Sequence, residues 1–133
     1  MSLKESVNMP INPKIKIMIV EDDPLIRQLY ETILKKKGYD VVAVASDGAQ
    51  AVAMYQDLND KPDLIILDFR MPKMNGLQVS REILAENATT EILMISGDPT
   101  FDRKAVISRG INLMQKPVEI NEIIREISLI GNL

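Results

Sequence analysis

Two adjacent acids, Glu21 and Asp22, stand directly after the apolar run IKIMIV, and a third, Asp68, directly after LIIL. Ser96 follows EILMI in the same way, and Lys116, with Pro117 behind it, follows LMQ. Three carboxylates, a hydroxyl and an ammonium group at the ends of apolar runs form a chemically coherent set. If those runs are neighbouring strands about 4.8 Å apart, the acids repel one another and their pKa values rise unless a cation sits among them. An acidic pair, a third carboxylate and backbone carbonyls suit a hard divalent ion, and Mg2+ keeps several waters in such a cage. With that ion on one side and Lys116 on the other, a carboxylate could act as nucleophile toward a phosphoryl group. The cations would neutralise charge building on the equatorial oxygens.

Composition removes several other chemistries. The 133 residues include no cysteine and no histidine. Disulfides, thiolate metal sites, cysteine nucleophiles and imidazole bases are therefore excluded. Any chemistry uses carboxylates, hydroxyls, lysine, arginine and backbone. A net charge of −3, no tryptophan, two phenylalanines and three tyrosines argue against nucleic acid as a direct partner, which calls for a basic footprint or a stacking platform. No apolar run approaches the roughly 20 residues that span a bilayer, so no membrane partner is expected. The opening MSLKESVNMPINP lacks the apolar core of a signal peptide. A cytoplasmic protein is expected, with residues 1–13 a flexible leader and residues 14–131 one domain.

The elements that must position these residues alternate in kind five times. The strands are read at 15–20, 41–45, 64–67, 91–95 and 113–115. Between them, PLIRQLYETILKKK places Leu25, Ile26, Leu29, Ile33 and Leu34 at helical spacing, with Asp23 as N-cap, Pro24 at the first helical position and Gly38 closing the helix. Asp47 caps a second helix carrying Ala51, Val52, Tyr55 and Leu58. A third, over Leu77 to Ala88, has its stripe through Val79, Ile83 and Leu84. A modest fourth spans about Phe101 to Arg109, and the last bears Ile120, Ile123, Ile124, Ile127 and Ile130. LIIL is apolar at every position, as expected of a parallel strand covered on both faces. Alternating strands and helices with right-handed crossovers give a doubly wound α/β sheet. Sites in such sheets lie outside the carboxyl ends of the strands, which is where the five candidates fall.

The runs IMIVEDDPLIR, LIILDFRMPKMNG, ILMISG and QKP, in this order, resemble the receiver domain of two-component response regulators, the CheY-like family, over residues 14 to 130. The resemblance implies a flavodoxin-like (βα)5 domain with a five-stranded parallel sheet of order 2-1-3-4-5. It implies that Asp68 accepts a phosphoryl group from a phosphohistidine on a sensor histidine kinase or histidine phosphotransfer protein. By the same transfer Glu21, Asp22, Asp68 and the main-chain carbonyl of Arg70 hold Mg2+, with Asp22 and Asp68 as direct ligands. Ser96 would bond the phosphoryl group and shift when it arrives, Lys116 would pair with a phosphoryl oxygen, and the Lys116–Pro117 bond would be cis. The phosphorylated form would use the surface of the fourth helix, fifth strand and fifth helix to reach a downstream protein or fused effector, as a monomer or a phosphorylation-dependent dimer. The chain would catalyse only its own phosphorylation and dephosphorylation.

Departures from the family pattern keep an alternative open. Leu113 stands where the family usually has an aromatic switch residue, and GINLMQK (110–116) is one residue shorter than the common pattern. Both favour a pseudo-receiver that binds a partner without phosphorylation. A third reading, a metal-dependent phosphohydrolase, is disfavoured because Arg70 occupies the position where such enzymes carry a second acid. Arg70 and Asp98, two residues past Asp68 and Ser96, are expected to flank the phosphoryl site with opposite charges and to tune phosphate lifetime; Asp98 as an N-cap before Pro99 is the competing reading.

Overall fold

A computed structural model describes residues 15–97 and 103–131. Its strands are β1 (Lys16–Val20), β2 (Asp40–Ala45), β3 (Leu64–Asp68), β4 (Glu91–Ser96) and β5 (Asn112–Gln115). The helices are α1 (Pro24–Lys36), α2 (Gly48–Asp57), α3 (Gly76–Glu86), α4 (Arg103–Ile107) and α5 (Ile120–Gly131). The strands form one parallel sheet of order β2-β1-β3-β4-β5. This is the order implied by the family resemblance.

Alternation along each strand sends successive side chains to opposite faces and divides the core in two. Met18, Val20, Ile65, Leu67, Ile92 and Met94 face one side, where Ala51 and Tyr55 of α2, Val79 and Ile83 of α3 and Val106 of α4 cover them. Ile17, Ile19, Leu64, Ile66, Leu93 and Ile95 face the other, against Tyr30 and Leu34 of α1 and Ile123, Ile127 and Ile130 of α5. All five residues of β3 are buried, so this central strand cannot move without disturbing both layers. Fully burying one Ile or Leu side chain contributes about 1.5–3 kcal/mol; the many such residues in the two layers offset the cost of carrying acids at the sheet edge.

Several ends follow directly from local chemistry. The Asp23 side chain accepts from the Leu25 and Ile26 N–H groups with Pro24 next in line, and Asp47 accepts from the Gln50 N–H. Gly38 takes φ +96° after α1, a conformation that excludes most side chains. Helix α3 begins one residue earlier than its apolar stripe predicts, because Asn75 and Gln78 form a reciprocal capping box. Among the described residues helix α4 spans Arg103–Ile107, and it ends in a turn where Gly110 N–H donates to the Ile107 carbonyl and Gly110 takes φ +74°. Strands β3 and β4 each run one residue further than their apolar runs, since Asp68 pairs with Ile95 and Ser96 with Gln115 in the ladder.

Candidate functional site

The chain leaves β1 toward β2 on one side of the sheet and later returns to β3 on the other. The crevice outside the carboxyl ends of β1 and β3 is therefore the switch point of the sheet. There a cleft of about 430 Å3 is lined by Glu21, Asp22, Asp23, Ile26, Asp68, Arg70, Gly97 and Lys116. One carboxylate oxygen each from Glu21, Asp22 and Asp68 lies within 4.8 Å of the others. Lys116 Nζ is 3.2 Å from Asp68 Oδ1 and 4.0 Å from Glu21 Oε1. Acids near the start of the chain, an acid from its middle and a lysine near its end thus share one opening.

Burial sets the electrostatics. Glu21 and Asp68 are buried, while Asp22 is exposed. Burial pushes the Glu21 carboxyl up to about 7; the Asp23 N–H, which donates to Glu21 Oε2 at 3.1 Å, opposes this, and the charge of Asp68 adds to it. Asp68 is likewise raised, by burial first, with Lys116 pulling it down and Asp22 pushing it up. The field reaches Tyr30 below the cleft, whose hydroxyl is pushed up to about 12 by burial and by the charges of Glu21 and Asp68. Lys116 therefore compensates the acids only in part, and the site retains a demand for positive charge. Three hard oxygen donors, one face open to water and raised carboxyl pKa values fit a divalent cation that keeps part of its hydration shell.

The remaining expected residues fall as follows. Ser96 is buried at the end of β4, and its carbonyl accepts the Lys116 N–H at 2.8 Å, which fixes the lysine beside the cleft. Gly97 packs beside that lysine, and a Cβ there would meet Lys116 Cβ at 3.4 Å, an ordinary contact. The Lys116–Pro117 bond is cis. Arg70 is exposed and lines the cleft. Leu113 is half-buried on β5, opposite Met94, and packs against the layer beneath α2, α3 and α4. Asp98, and with it the expected pairing to Arg70, lies outside the described residues, as do residues 1–13.

Two residues that strand ends do not select also shape the site. Gly76, at the start of α3, lies so close to β3 that a Cβ would sit 2.9 Å from the Asp68 carbonyl oxygen and 2.9 Å from Phe69 Cα, and its N–H donates to the Phe69 carbonyl at 2.7 Å. Arg27 Nη1 donates to the main-chain carbonyls of Glu21 at 2.9 Å and Asp22 at 3.3 Å. Its only signal in the sequence is a basic residue one turn past the Asp23 cap.

Comparison with known proteins gives one consistent family. The family model for the response regulator receiver domain matches residues 17–128. The chemotaxis protein CheY of Bacillus subtilis is 33% identical over 115 residues, 85% of this chain and 94% of that protein. The alkaline phosphatase synthesis transcriptional regulatory protein PhoP of the same organism is 34% identical over 110 residues, 81% of this chain but 45% of that protein. A chain in the crystal structure of the CheX–CheY–BeF3–Mg2+ complex from Borrelia burgdorferi matches with a TM-score of 0.78 at 22% identity, over 96% of this chain and 93% of that one. At that identity the likeness is one of fold.

Proposed function

The chain belongs to the response regulator receiver family, and on that premise we propose that it is a phosphoacceptor switch whose acceptor is Asp68. The observation that carries this reading is the convergence of Glu21, Asp22 and Asp68 within 4.8 Å, with Lys116 Nζ 3.2 Å from Asp68. The donor is a phosphohistidine on a sensor histidine kinase or histidine phosphotransfer protein. An Asp68 carboxylate oxygen attacks phosphorus, the bond from phosphorus to the imidazole nitrogen breaks, and the imidazole keeps the electron pair and takes up a proton.

Each of this chain's groups has a part in that step. Lys116 holds Asp68 toward its ionised, nucleophilic form and then pairs with a phosphoryl oxygen. The Ser96 hydroxyl bonds another oxygen. Glu21, Asp22, Asp68 and the Arg70 main-chain carbonyl are the groups that would hold Mg2+. When bound, that ion supplies charge neutralisation for the transferring phosphoryl oxygens. The added phosphate carries a charge between −1.5 and −2 and three acceptor oxygens. Its bonds to Ser96 at the end of β4 and Lys116 at the end of β5 bias the surface formed by α4, β5 and α5. The chain thereby acts on itself and on no external substrate.

Leu113 in place of an aromatic residue favours a second reading, a pseudo-receiver that recognises its partner without phosphate. Beryllofluoride with Mg2+, followed by two-dimensional NMR of wild type and Asp68→Asn, separates the two. The phosphoacceptor reading expects amide shifts at β4, α4 and β5 that Asp68→Asn abolishes. Wild-type spectra unchanged by the additive would support the pseudo-receiver instead.

A further inference from the structure

Arg27 has no part in the chemistry above, yet it is tied to the residues that carry it. It is half-buried one turn into α1, and it does not line the cleft. Its Nη1 donates to the carbonyls of Glu21 at 2.9 Å and Asp22 at 3.3 Å. The same short turn is held from three further directions. Glu21 N–H donates to the Ala45 carbonyl at 3.1 Å, Asp23 N–H to Glu21 Oε2 at 3.1 Å, and Arg27 N–H to the Asp23 carbonyl at 2.9 Å. The guanidinium thus closes a ring of hydrogen bonds that joins the first turn of α1 to the end of β1.

We infer that Arg27 is a positioning residue: by clamping the two carbonyls it fixes how the Glu21 and Asp22 carboxylates enter the cleft, and so sets the affinity of the site for a divalent cation. The inference rests on the Mg2+ reading given under the proposed function. The physical basis is that each carbonyl shares a peptide plane whose rotation redirects the Cα–Cβ bond of its own residue. A clamped carbonyl leaves the carboxylate few directions to sample before the ion arrives, and pre-organisation of this kind raises affinity. Groups that orient metal ligands from behind typically alter metal affinity by 10- to 100-fold when removed.

The sign of the effect distinguishes this role from a simple field effect. Arg27 is a cation beside a dication site, so its charge alone opposes Mg2+ binding, and its removal would then tighten binding. The clamp predicts the reverse. Calorimetric titration with MgCl2 of the full chain, as wild type, Arg27→Ala and Arg27→Lys, is the test, with thermal melts in chelator alongside. Arg27→Ala is expected to weaken Mg2+ binding by about tenfold. Arg27→Lys, which keeps the charge but loses the planar fork, is also expected to weaken it, and it decides the matter if Arg27→Ala does not fold. Unchanged or tighter binding in the folded variants overturns the inference, as does a drop in metal-free melting temperature with no change in dissociation constant. A wild-type chain that takes up no Mg2+ overturns this inference and the Mg2+ reading together, whereas normal wild-type binding with indifferent variants overturns the inference alone.

Discussion

Glu21 is buried beside two other acids, and its protonation should link pH, stability and metal binding in a way that can be measured. In the unfolded chain its carboxyl titrates near 4.5, and in the folded, metal-free chain near 7. Between those values the folded state holds a proton that the unfolded state has released. The stabilising contribution is therefore fully present below about pH 4.5 and is lost as pH rises through about 7. At about 1.4 kcal/mol per pH unit, the rise from 4.5 to about 7 sets a ceiling on the order of 3–4 kcal/mol. Mg2+ binding expels the proton, so affinity should rise by up to tenfold per pH unit below 7 and level off above it. The assay is urea denaturation in chelator at pH 5, 6, 7 and 8 for wild type and Glu21→Gln, with Mg2+ titrations at the same pH values. Wild type should lose stability relative to Glu21→Gln as pH rises, and the difference should shrink when Mg2+ is added. A stability difference independent of pH, together with pH-independent Mg2+ affinity, would refute the reasoning.

Three further outcomes are expected. Gly76→Ala drives a methyl group against the Asp68 carbonyl and Phe69 Cα, both 2.9 Å away and both backbone, so urea denaturation should show a loss of about 1–3 kcal/mol despite alanine's better helix propensity. Tyr55→Phe removes the partner of the buried Thr90 hydroxyl, 2.9 Å distant, and should cost about 1–3 kcal/mol; combining it with Thr90→Val should recover part of that loss. Lys116→Met removes the cation 3.2 Å from Asp68: calorimetry at pH 8 should show Mg2+ binding retained or tightened, while the NMR response to beryllofluoride is lost.

The fold was legible because β1, β2, β3 and β4 each hold an apolar run of at least four residues and α1 and α2 carry their own caps. Asp23, Asp47 and Gly38 mark ends that the structure places where the local chemistry puts them. The acidic cleft was legible for a related reason: in a parallel sheet every strand delivers its carboxyl end to the same edge, so the residue after each run is a shared address. Features that depend on the approach of two segments were less visible. Gly76 reads as a turn residue until β3 is known to pass within contact of it. Arg27 reads as one more surface charge on α1 until the β1–α1 turn is seen to point two carbonyls at it. The expected end of the fourth helix at Arg109 lies two residues past Ile107, where α4 gives way to a turn that Gly110 closes.

The acceptor role of Asp68 is tested most directly by intact-mass spectrometry after incubation with Mg2+ and a small phosphoryl donor such as acetyl phosphate. The account predicts a gain of one phosphoryl group in the wild-type chain, none in Asp68→Asn, and loss of the signal on removal of Mg2+. A wild-type chain that stays at its starting mass, or an Asp68→Asn chain that gains the group equally, would contradict it.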